Sequence, residues 1–208
     1  MRTWPVGDSW MHSAPASLDG LPWTVLEMKI IGVSRKMILA GVDEAGRGPL
    51  AGPVVAAAAV LDPFQKEVLL EMGLTDSKKL SPAKREKLMD KMISLGVVWR
   101  ARAASPARID SMNILRASLW AMERSVLLLP KVFDKVIVDG TFCLPGYPFL
   151  QEALPKADLK VPEVAAASIF AKVLRDRAMC SLDRLYPQYG FAKHKGYPTS
   201  THLDALRE

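Results

Sequence analysis

Apolar runs and helically spaced apolar residues alternate along most of this chain. Ile38-Leu39-Ala40-Gly41-Val42 is a continuous apolar run and predicts a buried strand. Val54 to Leu61 is a second such run, placed to pair back on the first. A polar stretch, Glu71 to Leu80, follows. Ser81 then reads as an N-cap with Pro82 at the first helical position, and the helix runs to about Leu95 with Gly96 as its stop. From Val97 to Ala104 apolar residues alternate with Arg100 and Arg102, the pattern of a strand with one solvated face. Ser105-Pro106 breaks it. Ile109 to Leu128 carries Leu115, Leu119, Met122 and Val126 at helical spacing, and Pro130 ends that helix. Lys135 to Asp139 is a short strand, and a Pro- and Gly-containing loop leads through Lys156-Ala157-Asp158 to a third helix, Val161 to about Tyr186. The alternation predicts one α/β domain with a mixed sheet.

Residues 1–36 do not share this pattern. Trp4, Trp10 and Trp23 are scattered among Pro, Ser and Gly with no sustained period, so a flexible extension is expected there, with Met28 and Met37 as alternative natural starts. A basic start followed by an apolar stretch is lacking, so the segment does not read as a secretory signal. No apolar run reaches membrane-spanning length, which leaves the membrane out of the expected partners.

Composition narrows the partner. Half of the 208 residues are hydrophobic, which excludes general disorder, and the net charge of +6 favours a polyanion. Cys143 and Cys180 show no metal spacing and make a disulfide framework unexpected; a reducing, cytoplasmic setting is the default.

Candidate chemistry gathers at strand ends. Asp43 and Glu44 stand where the first strand opens into Gly46-Arg47-Gly48-Pro49, a turn sequence whose glycines let backbone N–H groups approach a ligand. Asp139 closes a second apolar strand. In open α/β sheets sites are built at that edge, and if the two strands are neighbours their carboxylates converge, with Glu44 and Asp158 joining from adjacent loops. Such a cluster repels itself, and a divalent cation removes the repulsion. Oxygen ligands without Cys or suitably spaced His point to Mg²⁺ or Mn²⁺. Beside a basic chain the natural substrate is a phosphodiester. Plainer readings stand beside this one. Asp139-Gly140 also suits a simple turn, and Gly46-Arg47-Gly48 suits a turn with a solvated arginine. The glycines fit neither Gly-rich nucleotide fingerprint. A non-catalytic hybrid-binding module and a nucleotide-binding enzyme using the Gly46 loop are the rival functions.

Asp43-Glu44-Ala45-Gly46-Arg47-Gly48-Pro49 followed by Gly52-Pro53-Val54 resembles the opening motif of ribonuclease HII. Further blocks follow in the family's order: Asp76-Ser77-Lys78-Lys79-Leu80; Asp110 with Asn113-Ile114-Leu115; Val138-Asp139-Gly140; Lys156-Ala157-Asp158; Ala165 through Asp176; and Tyr189-Gly190-Phe191 with His194-Lys195-Gly196-Tyr197. The resemblance covers about Met37 to the end, and the extension before it is longer than the family usually carries. It implies a ribonuclease H-like fold, a central mixed β-sheet flanked by helices, expected to act as a monomer. It also implies cleavage of RNA in RNA–DNA hybrids and nicking 5′ of ribonucleotides embedded in duplex DNA, leaving a 3′-hydroxyl. The family's four carboxylates match Asp43, Glu44, Asp139 and Asp158, which would hold Mn²⁺ or Mg²⁺. Gly46, Arg47 and Gly48 match the element that recognises the ribonucleotide 2′-hydroxyl, the group that distinguishes RNA from DNA locally. Tyr197 matches the tyrosine that packs at the RNA-to-DNA junction. Lys78 is expected at the substrate, against the plainer reading of Lys78-Lys79 as a surface pair. Ser168 and Lys172, at i, i+4 on one helical face, are positioned to meet a phosphate, although Ala165 to Ala167 also suit a small-residue packing face. His194 is open to a role as acid, base, or phosphate or surface contact.

Overall fold

The computed structural model describes residues 36–148 and 150–207. Apart from Lys36, the expected N-terminal extension lies outside the described residues. Strand β1, Leu39–Ala45, is central in a five-stranded sheet of order β3-β2-β1-β4-β5. It pairs antiparallel with β2, Val54–Val60, which pairs antiparallel with β3, Val98–Ala104. On its other side β1 runs parallel to β4, Lys135–Asp139, which runs parallel to β5, Gln151–Leu154. The sheet is therefore mixed, as the alternating pattern predicts, and the two acid-bearing strands are direct neighbours.

Helices cover both faces. They are α1 (Pro63–Glu71), α2 (Pro82–Ser94), α3 (Pro106–Met112), α4 (Ile114–Leu127), α5 (Pro162–Leu185), α6 (Phe191–His194) and α7 (Ser200–Ala205). Every residue of β2 is buried, because α2 and α5 press on one face and α4 on the other. Its run of alanines, Ala56 to Ala59, keeps that strand thin enough for close approach from both sides. Alternation divides β2 cleanly: Ala57 and Ala59 join the core under α5, and Ala56 and Ala58 join the core under α4. Gly41 is needed where α5 begins, since a Cβ there would lie 2.2 Å from the backbone N of Val164.

Four elements differ from the sequence expectation. The helix expected over Ile109 to Leu128 is two, divided at Asn113, whose φ is +68° and whose side chain caps α4 by accepting from the Arg116 N–H at 3.0 Å. Ser105-Pro106, expected as a break, is the N-cap and first residue of α3, the same device as Ser81-Pro82. Helix α1 went unpredicted although Asp62 and Gln65 form a capping box. The edge strand β5 is short and half polar, so its sequence, Gln-Glu-Ala-Leu, carries little strand signal.

Candidate active site

Strand register carries the acids to one place. Val42 pairs with Val138, so Asp43 and Asp139 each stand one residue beyond that pair at the carboxyl ends of parallel strands. Val42 and Val138 both face α4, so by alternation Asp43 and Asp139 leave the sheet on the α5 side. Asp158 arrives on a single 3₁₀ turn, Ala157–Leu159, and that turn is tied to β4 by the Ala157 N–H donating to Asp139 Oδ1 at 2.7 Å. Strand alternation would send Glu44 to the opposite face from Asp43. At the end of β1 both nevertheless line one cleft of about 480 Å³, together with Gly46, Arg47, Gly48, Lys78, Lys172 and Tyr197.

Burial and mutual repulsion act on these carboxyls. Asp43 is 5 % exposed, and its pKa stands well above the usual carboxylate range, first because of burial and then because Glu44, Asp139 and Asp158 are near. The Glu44 N–H donating to Asp43 Oδ1 at 2.6 Å offsets this in part. Burial also raises Glu44, against the opposing pull of Arg47, whose Nη1 lies 3.5 Å from Glu44 Oε1. Asp158 is raised by burial, then by Asp139 and Asp76, and a side-chain hydrogen bond from the protonated Asp158 to Asp76 adds to the effect. Lys78 is the counterweight. Burial alone would lower its amine, but Asp43, Asp76, Asp158 and Asp139 together hold it above its ordinary value.

The donor set fits a hard divalent cation. All four candidate ligands are carboxylates, and Glu44 Oε2 is buried with no hydrogen-bond partner. Among the described residues no three such side chains already converge in metal-coordinating geometry. Asp43 Oδ1 accepts from the Glu44 amide and Asp139 Oδ1 from the Ala157 amide.

The rest of the cleft lining joins two distant segments. Gly46 has φ +113°, and a Cβ there would lie 2.3 Å from Arg175 Nε, so only glycine fits. Tyr197 is half-exposed and its ring borders Gly48, where a Cβ would stand 3.6 Å from Tyr197 Cε1. Lys172 lines the cleft and pairs with Asp176 at 2.7 Å, with its ammonium 6.0 Å from the Tyr197 ring centroid. Ser168 does not share that surface. It is buried, its hydroxyl donating to Ser77 Oγ at 2.7 Å and accepting from the Ser77 N–H, so it supports the 76–80 loop from beneath. Its alanine-rich neighbourhood in the sequence already suited that packing role. His194 is likewise buried, with Nε2 2.7 Å from the Tyr189 carbonyl and Nδ1 accepting from the Gly196 N–H at 3.1 Å. Both ring nitrogens are engaged inside the fold, so the loop histidine is neither at the acids nor on the surface.

Two residues at the cleft carry no distinct sequence signal. Asp76, beside Asp158, sits in an expected block but looks like the turn cap that it also is, accepting from the Lys78 N–H at 2.8 Å. Arg175 lies within a helix rich in basic residues and reads as solvated, yet it is 1 % exposed.

Comparison with known proteins decides the family. The sequence model of ribonuclease HII matches residues 40–208. The chain belongs to the ribonuclease HII family. It is similar to the ribonuclease HII of Francisella tularensis subsp. novicida, 49 % identical over 172 residues that cover 83 % of this chain and 90 % of the relative. It is 51 % identical to that of Francisella philomiragia over the same shares of the two chains. Among solved structures, ribonuclease H2 from Pyrococcus horikoshii superposes with a TM-score of 0.68 at 35 % identity, over 82 % of this chain and 85 % of that one. A ribonuclease HIII solved in complex with Mn²⁺ matches at TM-score 0.67 and 20 % identity, over 82 % of this chain and 70 % of that one, which speaks to the fold. This member of the ribonuclease HII family is an endoribonuclease that acts on RNA–DNA hybrids. Among its described residues no helix is long and apolar enough to cross a membrane.

Proposed function

We propose that this ribonuclease HII nicks duplex DNA on the 5′ side of a single embedded ribonucleotide and leaves a 3′-hydroxyl. The observation that carries this reading is the adjacency of Gly48 to the Tyr197 ring in the cleft that Asp43 and Glu44 also line. A glycine-lined backbone reads the 2′-hydroxyl at close range, and an aromatic face beside it packs on the next sugar, where a second hydroxyl would crowd it. That pairing selects one ribonucleotide followed by deoxyribose.

Asp43, Glu44, Asp139 and Asp158 hold Mg²⁺ or Mn²⁺ in this reading. Bound divalent cations supply an activated water and charge stabilisation at the leaving oxygen of an in-line displacement. The chain's own residues do the rest. Asp43 and Asp139 are fixed by the strand ladder, and Asp158 by its bond-anchored turn. Lys78, drawn toward the acids by their charge, faces the reacting phosphate, and Arg47 keeps Glu44 oriented. Lys172 contacts the backbone phosphates and makes binding salt-dependent. The partners are RNA–DNA hybrid and ribonucleotide-containing duplex, taken up by a monomer. The exposed free thiols of Cys143 and Cys180 suit a reducing cytoplasm.

An end-labelled duplex with one embedded ribonucleotide tests this, incubated with Mg²⁺, with Mn²⁺ or with a chelator. The expected result is a metal-dependent nick 5′ of the ribonucleotide with an end that a polymerase extends. Cleavage on the 3′ side, or cleavage in chelator, would overturn it.

A further inference from the structure

We propose that Arg175 is a positioning residue that locks the Gly46–Pro53 loop to the turn carrying Tyr197, so that the two halves of ribonucleotide recognition move as one body. The inference rests on the reading of that loop and of Tyr197 as the recognition elements.

Arg175 spends its guanidinium on three carbonyls. Nε donates to Pro53 O at 3.0 Å, Nη2 to Ala51 O at 3.1 Å and Nη1 to Lys195 O at 3.0 Å. The first two lie on the recognition loop and the third lies two residues before Tyr197. These segments are more than a hundred residues apart in sequence, so nothing local holds them together. The Leu50 N–H adds a direct link, donating to Gly196 O at 2.9 Å. Space is as closely fitted as the hydrogen bonds. A Cβ at Gly46 would strike Arg175 Nε at 2.3 Å, and one at Gly196 would strike Ala51 O, also at 2.3 Å.

Burying this cation is costly, and burial does lower its pKa, with Tyr197 and Asp176 opposing. An apolar side chain would fill the same space without that cost, but it would leave three part-buried carbonyls without these donors. Arginine alone presents donors in a rigid planar fork. Lysine keeps the charge but donates from one point, so it cannot hold both segments in register. A displacement of about 1 Å in a positioning group is enough to cost roughly a hundredfold in rate.

The test uses the full chain with Arg175→Lys, assayed on the single-ribonucleotide duplex and on a long RNA–DNA hybrid. A hybrid offers cleavage sites with no junction, so the clamp matters less there. The expected outcome is a kcat/KM loss at least about tenfold larger on the embedded ribonucleotide than on the hybrid. Combined with Tyr197→Ala, Arg175→Lys should add little further loss on the embedded substrate, because both act through one contact. Equal losses on the two substrates that track a fall in Tm, or penalties that simply multiply in the double variant, would overturn the proposal. Should Arg175→Lys fail to fold, Leu50→Pro removes the loop-to-turn N–H from an exposed position and should give the same selective loss; an unselective loss there also counts against the clamp. A wild-type chain that cleaves neither substrate would instead overturn the functional reading itself.

Discussion

Asp43 and Glu44 line one cleft with Tyr197, yet the acids and the tyrosine are held in different ways. Asp43 and Asp139 are placed by backbone: two parallel strands in fixed register, with Val42 opposite Val138, leave their next side chains side by side. Tyr197 is placed by a turn that leans on isolated backbone bonds and on buried side chains. Its carbonyl accepts from His202 Nδ1 at 3.0 Å, its N–H donates to the His194 carbonyl, and the turn before it is tied to Arg175. His194 and His202 stack with centroids 4.4 Å apart and carry that turn on a buried platform. A ladder of backbone bonds is cooperative and tolerates side-chain change. A turn resting on a few buried polar groups has no such redundancy, since each lost partner leaves another group unsatisfied. Substitutions among the acids should therefore remove chemistry and leave the fold intact. Substitutions around Tyr197 should alter recognition and leave the metal site intact.

The largest effect is expected from Asp139→Asn. Asparagine keeps an oxygen for the Ala157 N–H, so the 157–159 turn stays in place. It removes one charge from the metal set, and cleavage of any substrate should fall by about a thousandfold or more, since a metal's contribution is several kcal/mol. A purified, folded variant that cuts at near the wild-type rate would break the comparison on the acid side.

A smaller and more selective loss is expected from Tyr197→Ala. The ring is half-exposed and contributes little to the core, so Tm should stay close to wild type. Cleavage at a single embedded ribonucleotide should drop roughly ten- to a hundredfold, with much less change on a long hybrid. A matching loss of thermal stability would make Tyr197 a structural aromatic.

The smallest effect concerns stability. Asp43, Glu44 and Asp158 have pKa values raised in the folded chain by burial and by one another. Above the ordinary carboxylate range, near about 4, the folded state therefore binds more protons than the unfolded one. Stability from this source is full at low pH and is lost as pH rises through the raised values. Metal-free protein should accordingly have a higher Tm as pH falls from neutral toward that window. Added Mg²⁺ or Mn²⁺ should flatten the dependence by compensating the ionised cluster. A metal-free Tm that falls steadily over the same interval would deny that the acids repel one another in the fold.

The two regions were also unequally legible in the sequence. Asp43 and Asp139 each close an apolar run, and strand periodicity with the edge rule for α/β sheets was enough to bring them together. Helices α2 and α5 were legible for the same reason, since the pattern repeats within one element. Asn113 divided a helix because its side chain caps better than it propagates, a preference hidden inside an otherwise regular apolar spacing. Around Tyr197 the information is non-local. Arg175 looks like its solvated neighbours until the carbonyls of Ala51, Pro53 and Lys195 are brought to it by the fold. Ser168 is open in the sequence between a phosphate contact and a packing face, and His194 between an acid or base and a phosphate or surface contact. Each satisfies a buried partner, Ser77 in one case and Gly196 with Tyr189 in the other. Polarity in a motif does not show which way a side chain turns.

The division of labour across the cleft has one direct test: calorimetric titration of Mn²⁺ into wild type, Asp139→Asn and Tyr197→Ala, with each protein also assayed on the single-ribonucleotide duplex. Both variants should lose cleavage of that substrate. Only Asp139→Asn should lose the heat of metal binding, with Tyr197→Ala titrating like wild type. Wild-type Mn²⁺ affinity in Asp139→Asn, or its loss in Tyr197→Ala, would contradict the account.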